Sequence, residues 1–271
     1  IVMRNKWIKG VLVAVLALGM LSGCNSTKTS ENVDEKTDLL DEIREKGVLV
    51  IGTEGTYSPN SFHDEDGNLV GFDVEVAQKI AEKLGVKAEF VESDWDSLFA
   101  SMDSGRIDVV INEVNVTEER ALKYDFSQPY TYVHGALLVS SDNDSILGFD
   151  DIAGKKSAQN LASTWALTAE EYGAEIVGVN SMNESVELLL TGRADCTLNA
   201  QTAFGDYMKN HPEAAVKVAA LSDSTNSSVV PVRKGNEELL KAINEALDEM
   251  RESGELSEIS IKYFGIDVTK E

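Results

Sequence analysis

The chain has 271 residues, with 47 Asp and Glu against 24 Lys and Arg and a formal net charge of −23 at pH 7. A surface so acidic argues against nucleic acid and against adsorption to anionic lipid, since both would repel it. The length permits one large domain or two small lobes.

Met3, the first methionine, reads as the start. Arg4, Lys6 and Lys9 form a basic segment, and Val11 to Leu21 is an apolar run, short for a bilayer span but suited to a signal peptide. It ends in Leu21-Ser22-Gly23-Cys24, which resembles the lipobox of bacterial lipoproteins. There, cleavage precedes the Cys and its sulfur carries a diacylglycerol. The alternative is a plain secretory signal with a chance Cys. Residues 1–23 are therefore expected to be a lipoprotein signal peptide, and two acyl chains on Cys24 would meet the requirement for stable anchoring. Removing the three cations takes the charge from −23 to −26. Cys196 then has no intrachain partner and reads as a buried free thiol. Residues 24–37 are Ser, Thr, Asn and charged residues, a flexible tether spanning roughly 20 Å. No later run is long and apolar enough for a transmembrane helix.

Beyond the tether the pattern alternates. A short helix is expected near Leu39 to Lys46, then a buried strand over Val48 to Gly52. Asp64-Glu-Asp-Gly67 between Phe62 and Leu69 marks a hairpin turn. Phe72, Val76, Ile80 and Leu84 recur at helical spacing and stop at Gly85. Glu89 to Val91 reads as a strand, Leu98 to Met102 as a helix and Asp108 to Asn112 as a strand. The order then repeats: strand Lys156 to Gln159, helix Trp165 to Tyr172, strand Glu175 to Val179, helix Val186 to Leu190, strand Ala194 to Asn199. A strand over Ser228 to Val232 feeds two helices, Leu239 to Met250 and Leu256 to Phe264. Alternation of this kind is the signature of open α/β sheets.

One stretch occurs twice, 87 residues apart: Ser104-Gly-Arg-Ile-Asp-Val-Val-Ile-Asn112 and Thr191-Gly-Arg-Ala-Asp-Cys-Thr-Leu-Asn199. Two similar α/β units would explain it, and a crevice between two lobes is a preferred place for a small ligand. The plainer explanation is two ordinary joints, each with a Gly helix cap and an Asp at the strand start.

Catalytic signatures are scarce. His63, His134 and His211 form no H-E-x-x-H pair, and no G-x-S-x-G elbow occurs. Gly148 to Lys156 has five residues between its glycines where a Walker loop has four, and Lys where Ser or Thr is needed. It reads as a short helix closed by a Gly cap. No metal or cofactor is implied.

Gly52-Thr-Glu-Gly-Thr-Tyr-Ser-Pro59, Gly71-Phe-Asp-Val-Glu-Val-Ala77, Trp95-Asp-Ser-Leu98, Ser104-Gly-Arg-Ile-Asp108, Thr117-Glu-Glu-Arg120, Tyr124-Asp-Phe-Ser127 and Pro129-Tyr130 fall in order. Together they resemble the solute-binding proteins, family 3, of polar amino-acid ABC importers. Ile111-Asn-Glu-Val114, Lys123-Tyr-Asp-Phe126 and the ending Tyr263 to Lys270 look most like the cystine-binding branch. The resemblance covers about residue 45 onward.

It implies the type II periplasmic-binding fold, an α/β clamshell whose two lobes are each an open mixed sheet flanked by helices. Lobe 1 would comprise 38–132 with 229–271 and lobe 2 136–226, with crossings near Tyr132 to Ala136 and Asn226 to Val229. The family's carboxylate-binding arginine falls on Arg120, whose planar fork suits a bidentate grip. Asn115 stands where a Ser or Thr usually helps. Ala162, Ser163 and Thr164 match the family's helix N-terminus, where free amides attract an anion. Tyr57, Trp95 and Trp165 match the pocket walls, and Glu54 its rim.

One position departs from the family. The acid that usually holds the ligand's α-ammonium maps to Ala200, beside Asn199 and Gln201. A desolvated ammonium without a carboxylate is costly. Glu113 could supply the charge from the first lobe. The resemblance thus implies a monomeric receptor on the extracytoplasmic face of the cell membrane, anchored through Cys24, that delivers a polar amino acid, cystine among them, to an ABC permease. The alternatives are a dehydratase-like cleft enzyme with Glu113 as its acid, and a sensory or adhesive lipoprotein.

Overall fold

The computed structural model describes residues 38–271. The expected signal segment, Cys24 and the tether lie outside the described residues.

The elements run in chain order as α1 (Leu39–Lys46), β1 (Val48–Thr53), β2 (Thr56–Tyr57), β3 (Ser61–His63), β4 (Leu69–Val70), α2 (Phe72–Leu84), β5 (Lys87–Glu92), α3 (Trp95–Asp103), β6 (Val109–Val110), α4 (Glu118–Lys123) and β7 (Tyr124–Phe126). Then come β8 (Thr131–Ser140), β9 (Lys156–Gln159), α5 (Thr164–Glu171), β10 (Glu175–Gly178), α6 (Met182–Leu190), β11 (Cys196–Ala200), α7 (Gln201–Asn210), β12 (Val216–Ser228), β13 (Pro231–Arg233), α8 (Glu237–Ser253) and α9 (Glu255–Phe264).

The first lobe is a parallel sheet in the order β5-β1-β6, the second a sheet in the order β10-β9-β11-β8-β12. Helix α2 forms because Phe72, Val76, Ile80 and Leu84 line one face, all buried, and Gly85 at φ 80° closes it by donating to Ala81 O and Glu82 O. Helix α8 buries Leu239, Ile243, Ala246, Leu247 and Met250, and they join Leu49, Ile51 and Ile80 in one core. The C-terminal helices thus return to the first lobe. Truncating a side chain such as Ile243 to Ala there would cost about 2–5 kcal/mol.

The repeated stretch builds the same joint twice. In the first copy Gly105 adopts φ 73°, Asp108 N donates to Val50 O, and Val50 N returns a bond to Asp108 Oδ2 at 2.9 Å. In the second, Gly192 adopts φ 69°, Asp195 N donates to Lys156 O, and Lys156 N returns a bond to Asp195 Oδ2 at 2.8 Å. Only glycine enters the left-handed region without strain, and the Asp carboxylate accepts an amide the short strand would leave unpaired. Both explanations of the echo therefore hold: it is an ordinary joint, used once in each lobe.

Two expectations need correction. The strand placed at Asp108 to Asn112 shrinks to Val109–Val110. Asn112 turns its amide oxygen onto Thr53 Oγ1 and Glu54 N, and Glu113 enters the left-handed region at φ 50°, which ends the ladder. The strand placed at Ser228 to Val232 is two strands. β12 ends at Ser228, Val229 N donates to Val114 O, Val230 N donates to Ser127 Oγ, and Pro231 opens β13 against β7. The partner strand changes at that point, so a continuous apolar run hides a break. Helices α4 and α7 were not anticipated at all, nor the full reach of β8 and β12.

Those two strands run through the segments where the crossings are expected. They pair antiparallel from Thr131↔Ser228 through His134↔Thr225 and on into the second sheet. Tyr130 N donates to Ser228 O and Tyr132 N to Val268 O, which ties the start of β8 to the first lobe. Cys196 is buried at the centre of the second sheet. The segment with Walker-like glycines is a short 3-10 turn over Phe149–Ile152, and the Asp151 carboxylate accepts the amides of Leu147 and Gly148.

Candidate ligand-binding cleft

A cavity opens between the lobes. From the first lobe it is lined by Glu54, Tyr57, Trp95, Asn112, Glu113 and Asn115. The second lobe contributes Gln159, Asn160, Ser163, Thr164, Trp165, Asn180, Ser181, Met182, Ser185 and Asn199. Nearly every one sits at or just past the carboxyl end of β1, β6, β9, β10 or β11. Open α/β sheets place ligands in that region. That rule would have found Asn112, Gln159, Asn180 and Ser181, which motif matching missed.

No Lys, Arg or His lines this cavity among the described residues, whereas two carboxyls do. Glu54 is pushed up to about 7, chiefly by burial, with Asp94 and Asp96 adding repulsion and the Asn112 amide opposing at 2.7 Å. Burial pushes Glu113 up to about 8, against the bond from Tyr57 and with Asp73 and Glu54 raising it further. The Tyr57 hydroxyl bridges the lobes, lying 2.5 Å from Glu113 Oε2 and 2.7 Å from Asn199 Oδ1. Asn60 Nδ2 also reaches Glu113 Oε2 at 3.3 Å.

Helix α5 begins at the cavity wall. Ser163 caps it by accepting from Ala166 N, so Ser163 Oγ serves the helix itself. Thr164 Oγ1 donates to Asn115 Oδ1 at 3.0 Å, and Asn115 Nδ2 donates to Ser227 O at 2.8 Å. The Thr164 hydroxyl is therefore engaged. The first amides of α5 have no helix-internal acceptor, as at any helix start. Trp165 packs over Gly135 so closely that a Cβ there would come within 2.8 Å of its ring.

Two expected residues are placed differently. Arg120 does not line this cavity. Its Nη1 donates to Asn115 O at 2.9 Å and its Nη2 to Ala162 O at 3.1 Å, with the guanidinium over Trp95 and Phe99 at 5.2 and 4.8 Å. It lines an adjoining hollow with Ala162, Thr117, Lys123 and Leu161, and the two spaces share Trp95 and Ser163 as a common wall. Aromatic faces and backbone carbonyls hold the fork there. Ala162 likewise belongs to the adjoining hollow, its carbonyl accepting from both Arg120 and Trp95 Nε1. Ala200, the position of the missing acid, is fully buried, and Asn199 takes the cavity position instead.

Residues 49–266 match the bacterial extracellular solute-binding proteins, family 3. The chain belongs to this family. It is 40 % identical over 261 residues to the L-cystine-binding protein TcyA of Bacillus subtilis, spanning 96 % of this chain and 97 % of that one. An ancestral arginine-binding protein bound to arginine aligns with a TM-score of 0.76 at 40 % identity, over 81 % of this chain and 99 % of the other. The L-cystine solute receptor of Neisseria gonorrhoeae, unliganded and open, aligns at 0.61 with the same 40 % identity, over 87 % and 100 %. Equal identity with unequal superposition points to lobe arrangement. Tyr57–Asn199, Ser58–Asp206, Trp95–Ala162, Arg120–Ala162 and Thr164–Asn115 all bond across the cleft, so this structure is the closed arrangement of a family whose fold is the two-lobed type II clamshell.

Proposed function

We propose that the protein is a receptor, tethered by lipid on Cys24 to the extracytoplasmic face of the cell membrane, that closes on a polar amino acid and delivers it to an ABC permease. The observation that carries this reading is the charge layout of the cavity. Two desolvated carboxyls, eleven uncharged polar side chains, Met182 and two indole rings enclose it, with no cation among the described residues. A ligand ammonium is the charge such a wall lacks.

In this reading Glu113 holds the α-ammonium, and Tyr57, Trp95 and Trp165 enclose the side chain. The α-carboxylate meets the first amides of α5 at Ser163 and Thr164. Arg120 leaves the carbonyl of Ala162 to close its fork on that carboxylate, with Asn115 steadying the loop between them. Glu54, with Asn112, faces the far end and suits a ligand whose side chain carries a second polar or cationic group. L-Cystine and L-arginine, the ligands named for the relatives, both meet that description. Lobes formed by 38–132 with 229–271 and by 136–226, acting as a monomer, give this motion without a cofactor.

Calorimetry of ligand-stripped protein against amino acids, L-cystine and L-arginine included, tests the reading. Saturable binding with the amino acid recovered unchanged supports a receptor, turnover supports a cleft enzyme with Glu113 as its acid, and no binding by any amino acid overturns it. The anchor is tested separately. Cys24→Ala should leave the body folded and abolish partitioning into detergent, and unaltered partitioning would refute the lipid assignment.

A further inference from the structure

Behind the cavity, the region around Glu113 carries more than contact chemistry requires. Its carboxyl faces Tyr57 from β2 and Glu54 after β1, while its backbone amide faces Asp73 on α2 and Tyr130 ahead of β8. Asp73 is 1 % exposed, its Oδ1 accepts from Tyr130 at 2.9 Å, and its Oδ2 is buried without a partner. From the second lobe only the neutral Asn199 reaches this group. Among the described residues no positive side chain acts on either acid.

The hydrogens can be counted. Tyr57 has one hydroxyl hydrogen and two oxygen neighbours, Glu113 Oε2 and Asn199 Oδ1. Asn199 Oδ1 also accepts from Ala200 N at 2.8 Å, which fixes that atom as the amide oxygen. Tyr57 must therefore donate to Asn199. The contact to Glu113 then needs a hydrogen from the other side, because two lone pairs at that distance repel. The carboxyl supplies it.

We propose that ligand capture exchanges a proton for an ammonium: the closed, empty cleft holds Glu113 as the neutral acid, and Asp73, behind it and out of reach of any ligand, is the positioning residue that keeps it so. This rests on the reading of Glu113 as the ammonium contact. Asp73 acts in two ways. Its carboxyl faces the Glu113 amide and so supports the left-handed backbone at φ 50° that aims the side chain into the cavity. Burial holds its own carboxyl up at about 7, and above that its negative charge opposes ionisation of Glu113. When the ammonium arrives it takes the place of the acidic hydrogen, Glu113 ionises, and one proton leaves to solvent. An ammonium gains from this arrangement, whereas a neutral or anionic group would have to enter beside an acid that stays protonated.

The sign follows. The ligand pairs with ionised Glu113, which in the free site titrates near 8. Below that, each bound ligand must expel a proton, so affinity rises about tenfold per pH unit from pH 5.5 and levels off near pH 8. The experiment is calorimetry with L-arginine and L-cystine in turn, in phosphate and in Tris, whose ionisation enthalpies differ. Near pH 6.5 the wild type should release about one proton per ligand more than Glu113→Gln does, because any proton that Glu54 gives up to the ligand's second cationic group is released by both. Asp73→Asn keeps the acceptor for Tyr130 but removes the charge, so the affinity profile should level off at lower pH. Tyr130→Phe should move it in the same direction, should Asp73→Asn fail to fold. Zero proton release in the wild type, or equal release in Glu113→Gln, overturns the exchange. An unshifted profile in both Asp73→Asn and Tyr130→Phe overturns the role of Asp73. Binding without proton exchange sinks this inference alone, whereas no binding of either amino acid sinks the receptor reading with it.

Discussion

The two walls of the cleft come from the same architecture, down to the Gly-Arg-x-Asp joint used once in each lobe, yet their chemistry is opposite. Among the described residues the first lobe holds every charged residue at or beside the cavity: Glu54 and Glu113 in its wall and, in the adjoining hollow, Asp96, Glu119, Arg120 and Lys123. The second lobe lines it with amides, hydroxyls, Met182 and Trp165, without one charge. A buried charge needs fixed, pre-arranged surroundings to be tolerated, and the first lobe supplies them through the Asn112 and Asn60 amides. A neutral wall can approach and leave without stranding a charge. One lobe is thus suited to recognising the ligand and the other to covering it.

The most severe way to break this division is to remove the Arg120 cation. Arg120→Ala should weaken amino-acid binding by about 3–5 kcal/mol, the cost of leaving a desolvated carboxylate without its partner. It also strips the donor from Ala162 O and the cation from over Trp95 and Phe99. Arg120→Lys should recover only part, since an ammonium cannot form the fork. Unchanged affinity in Arg120→Ala, with circular dichroism intact, would mean the guanidinium serves only the wall on which it lies.

A milder change moves charge from one wall to the other. Glu113→Gln should cost about 2–5 kcal/mol of binding if that carboxyl carries the ammonium. Adding Asn199→Asp should restore part of it, because Asn199 lines the same cavity and already touches Tyr57. Ala200→Asp should not, since Ala200 is fully buried and a carboxylate there would be trapped in the second lobe's interior. Equal rescue by both would show that the cavity's second wall is set differently from the geometry described.

The limits of sequence reasoning follow the same boundary. Helices α2 and α8 were legible because their apolar residues recur at helical spacing and burial depends on little else. The Ser228 to Val232 run was misjudged because hydrophobicity does not register a change of partner strand. In the site, Tyr57, Trp95, Glu113, Asn115 and Trp165 were legible from motif order, and all of them line the cavity. Arg120 was legible as a residue but not as a rotamer: its position depends on what else is present to accept its hydrogens. Asn180, Ser181 and Ser185 carry no motif and emerge only once strand ends converge in space. The role of Ser58 was illegible for a further reason, because its partner lies 148 residues away on a helix the periodicity did not reveal.

That pair offers the smallest and cleanest test. Ser58 Oγ donates to Asp206 Oδ2 at 2.7 Å, from the loop after β2 to helix α7, and neither residue lines the cavity. The bond exists only while the lobes are closed, so it contributes to the closed state without touching the ligand. Ser58→Ala should therefore reduce affinity by about 0.5–1.5 kcal/mol, or roughly two- to tenfold, as for one partly exposed hydrogen bond to a charged acceptor. Because differential stability of two states shifts binding by the same factor for every ligand selecting one of them, the loss should be equal across amino acids. It should appear mainly as faster dissociation. Asp206→Asn, which keeps an acceptor, should lose less. A change in the ranking of ligands in Ser58→Ala would place this residue in recognition after all, and the division between a recognising lobe and a covering lobe would have to be redrawn around the loop after β2.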